Sequence, residues 1–243
     1  MYGNNVIVSI IIPTLNEEKN IGIVLQKIPE NIKKISEIII VDSSTDKTPI
    51  IAKKHGAKVI RVPKKGKGYA MKIGAKIAKG HILVFMDGDG SDPPEIIPTA
   101  LRKLENNDIV ICSRNPYLKG NFIYRFFALI YMPVLKKLFR AIGFKIKGDP
   151  LAGFRIIKRK VWDRLNMKSD DFFIETEMNI KIAKLKLKIA EVPIPILPRM
   201  DGILNSKFIR SINQELKIMS TLINLYFDSK IKICSRSHRR QTQ

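Results

Sequence analysis

The segment Ile82-Leu83-Val84-Phe85-Met86-Asp87-Gly88-Asp89 is an apolar run that stops in two carboxylates separated by one glycine. It reads as a buried strand whose end delivers both carboxylates to the rim of a sheet. Hard divalent cations such as Mg²⁺ or Mn²⁺ take oxygen ligands and bridge protein carboxylates to phosphates. In open α/β sheets ligands bind beyond the carboxyl ends of the strands, so position and chemistry agree. A lone Asp-x-Asp is equally what a polar turn looks like. The neighbouring segments have to separate these readings.

Upstream, strand and helix signals alternate. Val6 to Ile12 is an apolar, β-branched run closed by Pro13, and Asn16 is placed to cap a helix beginning near Glu17-Glu18. Ile38 to Val41 reads as a second strand, ending at Asp42. Asp46 is placed to cap a helix over Thr48 to Lys54, which stops at Gly56. Lys58 to Val62 follows as a strand, then a Lys/Gly loop and a helix from Tyr69 to Ala78. Ile109 to Cys112 is a fifth strand. Strands separated by helices imply parallel pairing and an α/β, doubly wound sheet. The chemistry-bearing residues fall at the strand ends: Pro13-Thr14, Asp42, Lys67-Gly68, Asp87-Gly88-Asp89, Ser113-Arg114. Together they describe one nucleotide-sized crevice.

At 243 residues with 45% hydrophobic content, the chain can bury a real core. Cys112 and Cys234 form no metal-spaced pair and read as reduced thiols of an intracellular protein. A strand pattern begins almost at once, so no secretory signal is expected. The formal charge of +22 attracts nucleic acid, anionic lipid or phosphorylated small molecules, or reflects solvated lysines, and does not choose among them. His55, His81 and His238 show no ligand spacing.

The second half differs. Phe122 to Phe144 is rich in apolar residues but interrupted by Arg125, Pro133, Lys136, Lys137 and Arg140. Its uninterrupted part, Phe126 to Leu135, is too short to span a bilayer. It reads as an interfacial amphipathic pair with lysines towards anionic lipid, or as a core helix with a solvated basic face. Strands are expected at Phe154 to Ile157 and Lys188 to Val192. Helices are expected at Glu175 to Leu185 and Phe208 to Phe227, before a basic, unstructured tail, Ser235 to Gln243.

Taken in order, these motifs resemble the family 2 glycosyltransferases, and within them the branch of dolichyl-phosphate mannose synthase and the polyprenyl-phosphate glucosyltransferases. The resemblance runs over roughly residues 7–207. It is carried by Ile11 to Glu18, Val41 to Thr48, Lys65-Gly66-Lys67-Gly68-Tyr69-Ala70, Phe85 to Asp89 with Asp92-Pro93-Pro94-Glu95, Gly148 to Arg155, Glu175-Thr176-Glu177-Met178 and Glu191-Val192-Pro193. It implies a GT-A fold: one domain over residues 1–234, with a Rossmann-like nucleotide-sugar half at 1–115 and an acceptor half with peripheral amphipathic helices at 116–234. The implied activity is metal-dependent, inverting transfer of a hexose from a GDP-mannose or UDP-glucose type donor. The implied acceptor is a polyprenyl or dolichyl phosphate at the cytoplasmic membrane face. The chain departs from the pattern in places. Leu151-Ala152 replaces a Thr-Ser pair, Asp42 stands without a second adjacent aspartate, and Lys186 occupies a position where a helix-ending glycine is common.

The resemblance and the chemistry together nominate a site. Asp87 and Asp89 hold the cation against the donor diphosphate. Pro13, Thr14, Asn16, Glu18, Asp42, Lys67, Gly68 and Gly88 form the nucleotide-sugar pocket, Asp42 serving as a nucleoside ligand or as a helix cap. Lys67 and Gly68 sit where backbone approaches phosphate. Arg114, Arg155, Arg199 and Lys207 are the phosphate or acceptor cations, with Ser206 in the same closing segment. Glu175 and Glu177 are two apart at a helix start and so face different ways. A hydroxyl acceptor needs one of them as general base, whereas a phosphate acceptor needs none. Asp89, Arg114, Glu175, Glu177 and Arg199 form the expected catalytic set, and Trp162 is expected to pack under the acceptor half. Two rivals remain: a family 2 enzyme acting on a sugar or glycolipid hydroxyl, and a basic nucleic-acid binding module. The second predicts steep salt dependence without metal, and no compact RNA- or DNA-binding motif supports it.

Overall fold

In the computed structural model, residues 7–114, 127–195 and 216–225 are described. The strands are β1 (Val8–Thr14), β2 (Ser36–Asp42), β3 (Lys58–Arg61), β4 (Ile82–Phe85), β5 (Ile109–Arg114), β6 (Arg155–Lys158) and β7 (Ile189–Ile194). The helices are α1 (Ile21–Gln26), α2 (Glu30–Lys33), α3 (Thr48–Lys54), α4 (Lys67–Ile77), α5 (Ile97–Leu104), α6 (Met132–Ala141), α7 (Arg159–Leu165), α8 (Ile174–Lys184) and α9 (216–225).

Apolar runs without alternation mean strands covered on both faces. Ile11, Ile39, Val41, Leu83, Phe85, Ile109 and Ile111 pack into one buried cluster. Their neighbours Ile10, Ile12, Ile40, Val84, Val110 and Cys112 pack into the other. Helix α4 lies on the first face through Ala70, Met71 and Ala75. A Cβ at Gly74 would come within 2.3 Å of Ile11 Cγ2, so only glycine lets this helix approach β1 so closely. Trp162 stacks at 4.6 Å on Phe85, beneath β4.

The sheet order is β3-β2-β1-β4-β6-β5-β7. Strands β1, β2, β3 and β4 are parallel, but β5 does not join β4 directly. Instead β6 lies between them, antiparallel to both, and β5 pairs in parallel with β7. The sheet is mostly parallel, as expected, and what differs is adjacency: the four-residue β6 enters a gap that the β4–β5 crossover leaves open. Local patterning reports that a strand exists, and long-range closure sets its neighbour. Strands β1, β2, β4 and β5 still point the same way, so their carboxyl ends share one rim. Segment 149–154, entering antiparallel β6, reaches the same rim.

Pro13 lies inside β1, opposite Val41, rather than closing the strand. Thr14 O accepts from Ser43 on the β2 side, so the neighbouring Pro13 nitrogen faces β4, past the last pair, Ile11 with Phe85. Its missing N–H therefore removes no ladder bond. Asn16 does not cap a helix. Its φ is 57°, and α1 starts only at Ile21.

The segment around Phe127–Tyr131 forms a π-helical turn leading into α6. It is amphipathic, with one apolar face in the core. Met132, Leu135 and Phe139 face the core, while Leu129, Ile130 and Val134 are 55%, 54% and 44% exposed. Lys137 and Arg140 are exposed beside them. Among the described residues no helix is long and apolar enough to cross a membrane. Helix α9 buries Ile218 and Leu222 and exposes Leu216. The rest of the expected Phe208 to Phe227 helix, with Cys234, His238 and the tail Ser235 to Gln243, lies outside the described residues.

Helix α8 ends in a Schellman motif, with Lys186 N–H donating to Ala183 O and Leu187 N–H to Ile182 O. This requires the left-handed conformation at Lys186, whose φ is 51°. A side chain there costs about 1–2 kcal/mol that glycine avoids, although glycine gives part back through unfolded-chain entropy. Lys186→Gly is therefore expected to stabilise the fold by about 1 kcal/mol, raising the midpoint by about 2–4 °C in a thermal melt.

Candidate functional site

The turn after β4 is tied from within. Asp87 N–H donates to Asp92 Oδ2 at 2.9 Å, and Asp89 Oδ1 accepts from Ser91 N–H at 3.1 Å and Ser91 Oγ at 2.6 Å. A Cβ at Gly88 would lie 3.0 Å from Thr14 Cγ2, so this turn packs directly on the end of β1. Asp89 is 3% exposed, whereas the Asp87 side chain keeps 29%.

Lys67 joins this turn to two other elements. As the first residue of α4, it places Nζ 2.7 Å from Asp87 Oδ1 and 2.8 Å from Glu175 Oε1 at the start of α8. Burial pulls the amine's pKa down, but the carboxylates of Asp87 and Glu175 outweigh it and hold the amine above its ordinary value. It is therefore an ammonium. Gly153 roofs the group: a Cβ there would stand 2.4 Å from Lys67 Nζ, 3.4 Å from Asp87 Oδ2 and 3.5 Å from Glu175 Oε1.

Gly68 plays a different part from the expected phosphate approach. A Cβ at Gly66 would meet Asp170 O at 2.3 Å, and one at Gly68 would meet Ser169 O at 2.5 Å. The open faces of both glycines are filled by the chain's own backbone at 169–171, which fixes where Lys67 begins.

The two glutamates divide, as residues two apart on a helix must. Glu175 turns to Lys67. Glu177 accepts from the N–H groups of Lys168 and Ser169 and pairs with Lys181 at 2.6 Å. Burial pushes the Glu177 carboxyl up, but Lys181 and these amides outweigh it and leave its pKa below the usual range.

Arg155 is fully buried, and its guanidinium donates to Ala152 O, Pro150 O and Asn179 Oδ1 at 2.8–2.9 Å. Burial pushes its pKa down to about 10, against the pull of Glu175 and Asp149. Two of these bonds go to the 150–152 turn and one to α8, so the fully buried Arg155 supports the roof over Lys67 and is not presented to a phosphate.

At the neighbouring strand ends, buried Asp42 accepts from Thr14 Oγ1 at 2.7 Å, from Ser44 Oγ at 2.5 Å and from Arg61. It caps no helix. Asp46 does that work for α3 by accepting from Thr48 N–H and Oγ1. Asn16 Oδ1 accepts from Thr45 N–H and Glu18 Oε2 from Lys47 N–H, so both hold the loop after β2 against the loop after β1. Arg114 ends β5 opposite Ile194, and its side chain is not described. Arg199, Ser206 and Lys207 lie outside the described residues.

Two contributors were not assigned a role from sequence. Arg61 holds Asp42 and Ser44 O from the end of β3. Glu191 on β7 accepts from Ser113 Oγ, Gly148 N–H and Lys147 N–H, anchoring the segment that leads to Gly153. No local signal marks Arg61. Glu191 lay in a quoted motif, but its partners are some 40 and 80 residues away. A separate cleft of about 440 Å³ opens at the opposite sheet edge, between His81, Leu101, Lys158 and Asp163. It holds none of the nominated residues.

Among the described residues, Asp87, Asp89 and Glu175 gather around the Lys67 ammonium. Among the described residues no group of three or more Asp, Glu, His or Cys side chains is gathered to cage a metal. The donor set at the rim is instead two carboxylates flanking a glycine. That fits a hard cation whose other positions go to water and phosphate.

Comparison with known proteins agrees with this layout. Residues 9–165 match the model for "Glycosyl transferase family 2". A dolichol-phosphate mannosyltransferase of Pyrococcus furiosus is 33% identical over 200 residues, covering 76% of this chain and 55% of that protein. A dolichyl-phosphate hexose transferase of Haloferax volcanii is 29% identical over 199 residues, covering 79% and 83%. The chain spans about half the length of some curated relatives it matches. Among solved structures, glucosyl-3-phosphoglycerate synthase of Mycobacterium tuberculosis, crystallised with Mn²⁺, UDP and its product, superposes with a TM-score of 0.71 at 25% identity. That match covers 90% of this chain and 79% of that one. The same synthase has been crystallised with Mg²⁺ and UDP. With this sheet, this rim and a family match over most of its length, the chain has the GT-A fold and belongs to glycosyl transferase family 2.

Proposed function

We propose that this chain transfers a hexose, with inversion, from a nucleotide-diphosphate sugar to a polyprenyl or dolichyl phosphate at the cytoplasmic face of a membrane. Residues 1–115 serve as the donor half and 116–234 as the acceptor half. The reading is carried by the acidic cluster of Asp87, Asp89 and Glu175 around Lys67, at the rim where four parallel strands end. Asp87 and Asp89 would hold Mg²⁺ or Mn²⁺. Bound there, the cation neutralises charge on the departing nucleoside diphosphate. The loops of Thr14, Asn16 and Glu18 and of Asp42, locked together by hydrogen bonds, shape the nucleoside pocket. Lys67 faces the diphosphate, and Arg114, Arg199 and Lys207 supply further cations by family resemblance.

One observation favours a phosphate acceptor over a hydroxyl. A hydroxyl must lose its proton to a base, yet Glu175 is ion-paired to Lys67 and Glu177 to Lys181. The Lys181 pairing and neighbouring amides lower the basicity of Glu177, and the Lys67 ammonium occupies Glu175 Oε1. A phosphate monoester is already an anion and needs no such help. The relatives named for dolichyl-phosphate chemistry point the same way.

The membrane part rests on Leu129, Ile130 and Val134, exposed beside Lys137 and Arg140. Apolar side chains enter the headgroup boundary while each basic residue adds about 1 kcal/mol on anionic lipid.

Asp87→Ala and Asp89→Ala should each lower turnover by about a hundredfold or more, since a Lewis acid contributes several kcal/mol. In a thermal-shift panel of GDP- and UDP-sugars, only wild type should show a selective rise that requires Mn²⁺. Unchanged turnover in both variants would refute the metal assignment. An acid-labile lipid product identifies the sugar-phosphate ester, whereas an acid-stable glycoside would show a hydroxyl acceptor.

Vesicles containing anionic lipid should sediment the protein, and the double reversal Lys137→Glu with Arg140→Glu should reduce recovery about tenfold or more. Recovery that ignores lipid charge and both substitutions would leave this face without a membrane role.

A further inference from the structure

We propose that the Lys67 ammonium is the resident counter-ion of Asp87 and changes places with the divalent cation when a nucleoside diphosphate enters. The inference rests on the metal-site reading above and adds an order to it: cation and nucleotide load together, because Lys67 must leave Asp87 for the phosphates.

The argument begins with what can move. Gly66 and Gly68 are pressed against the backbone of 169–171, and Tyr69 N–H donates to Asp170 O at 2.9 Å. The start of α4 is therefore fixed, and only the four-carbon stem of Lys67 has freedom. Its side chain is 10% exposed, and its ammonium lies on a carboxylate oxygen of Asp87 at 2.7 Å. A dication binding that carboxylate would stand beside a fixed positive charge in a partly dry site, where repulsion is weakly screened. Glu175 holds the same ammonium from the start of α8 at 2.8 Å, so it anchors the lysine while Asp87 is exchanged.

A diphosphate removes the conflict. It offers anionic oxygens to the ammonium and further ligands to the cation, so each ligand relieves the cost of the other. By linkage, nucleotide tightens cation binding by the same factor as cation tightens nucleotide binding.

The experiment measures Mn²⁺ affinity of the full chain from the spin-resonance signal of free Mn²⁺, alone and with GDP or UDP. Wild type should bind Mn²⁺ weakly alone. Lys67→Met should bind it about tenfold or more tightly, and the gain from nucleotide should shrink by a similar factor. Gly153→Ala is the second arm, because the new methyl would stand 2.4 Å from Nζ, the far end of a flexible chain. It should displace the ammonium while Asp87 Oδ2 and Glu175 Oε1 stay at ordinary contact, 3.4 and 3.5 Å. Tighter Mn²⁺ binding without nucleotide is expected there too. If both variants bind Mn²⁺ alone no better than wild type, the exchange is overturned while nucleotide-dependent binding by wild type keeps the site reading. If wild type binds no Mn²⁺ with either nucleotide, both fall.

Discussion

An ammonium enclosed by carboxylates from two other elements leaves little freedom to its surroundings. Lys67 sits between Asp87 and Glu175 with its side chain 10% exposed. Removing one member of such a buried pair costs about 3–5 kcal/mol, chiefly because the other charge is stranded without water. The start of α4, the turn after β4 and the start of α8 must therefore meet at one point. Around that point the rest of the rim is arranged. Backbone at 169–171 fits the glycines flanking Lys67, and Gly153 closes over the ammonium. Arg155 and Glu191 hold the segment that carries Gly153.

The sheet makes this meeting possible. Strands covered on both faces cannot slip by one residue without exchanging the contents of two cores, so register is strongly fixed. Asp42 and Thr14 are paired in that register at the β1–β2 rim, and their side chains hydrogen-bond across it. A hydroxyl, a carboxylate and Arg61 thus weld two loops that would otherwise be independent. The result is a preformed wall at the rim whose polar groups are already oriented, which reduces the ordering that a nucleoside bound as proposed would have to impose.

Much of this was legible in the sequence because it depends on local pattern. The strand at Ile82, the carboxylates ending it, helix Thr48–Lys54 and the opposed directions of Glu175 and Glu177 all follow from short-range periodicity. What escaped depends on partners distant in the chain. Strand β6 carries the pattern Arg-Ile-Ile-Lys, which states a strand but not that it will part β4 from β5. Gly68 and Arg155 have residue types that suit phosphate, yet their neighbours are backbone at 169–171 and carbonyls at 150 and 152. An arginine is read as a ligand cation only if its five donors remain to be satisfied, and sequence does not say which carbonyls will reach it.

Charge is arranged on two length scales that oppose each other. Over the whole chain the formal charge is +22, a field that attracts anions in general. Beyond about 8–10 Å that field is screened, and an approaching ligand feels the groups around it. There, among the described residues, Asp87, Asp89 and Glu175 gather around the Lys67 ammonium, a cluster whose natural complement is a hard cation. Under the proposed exchange, cation and nucleotide each lower the cost of binding the other.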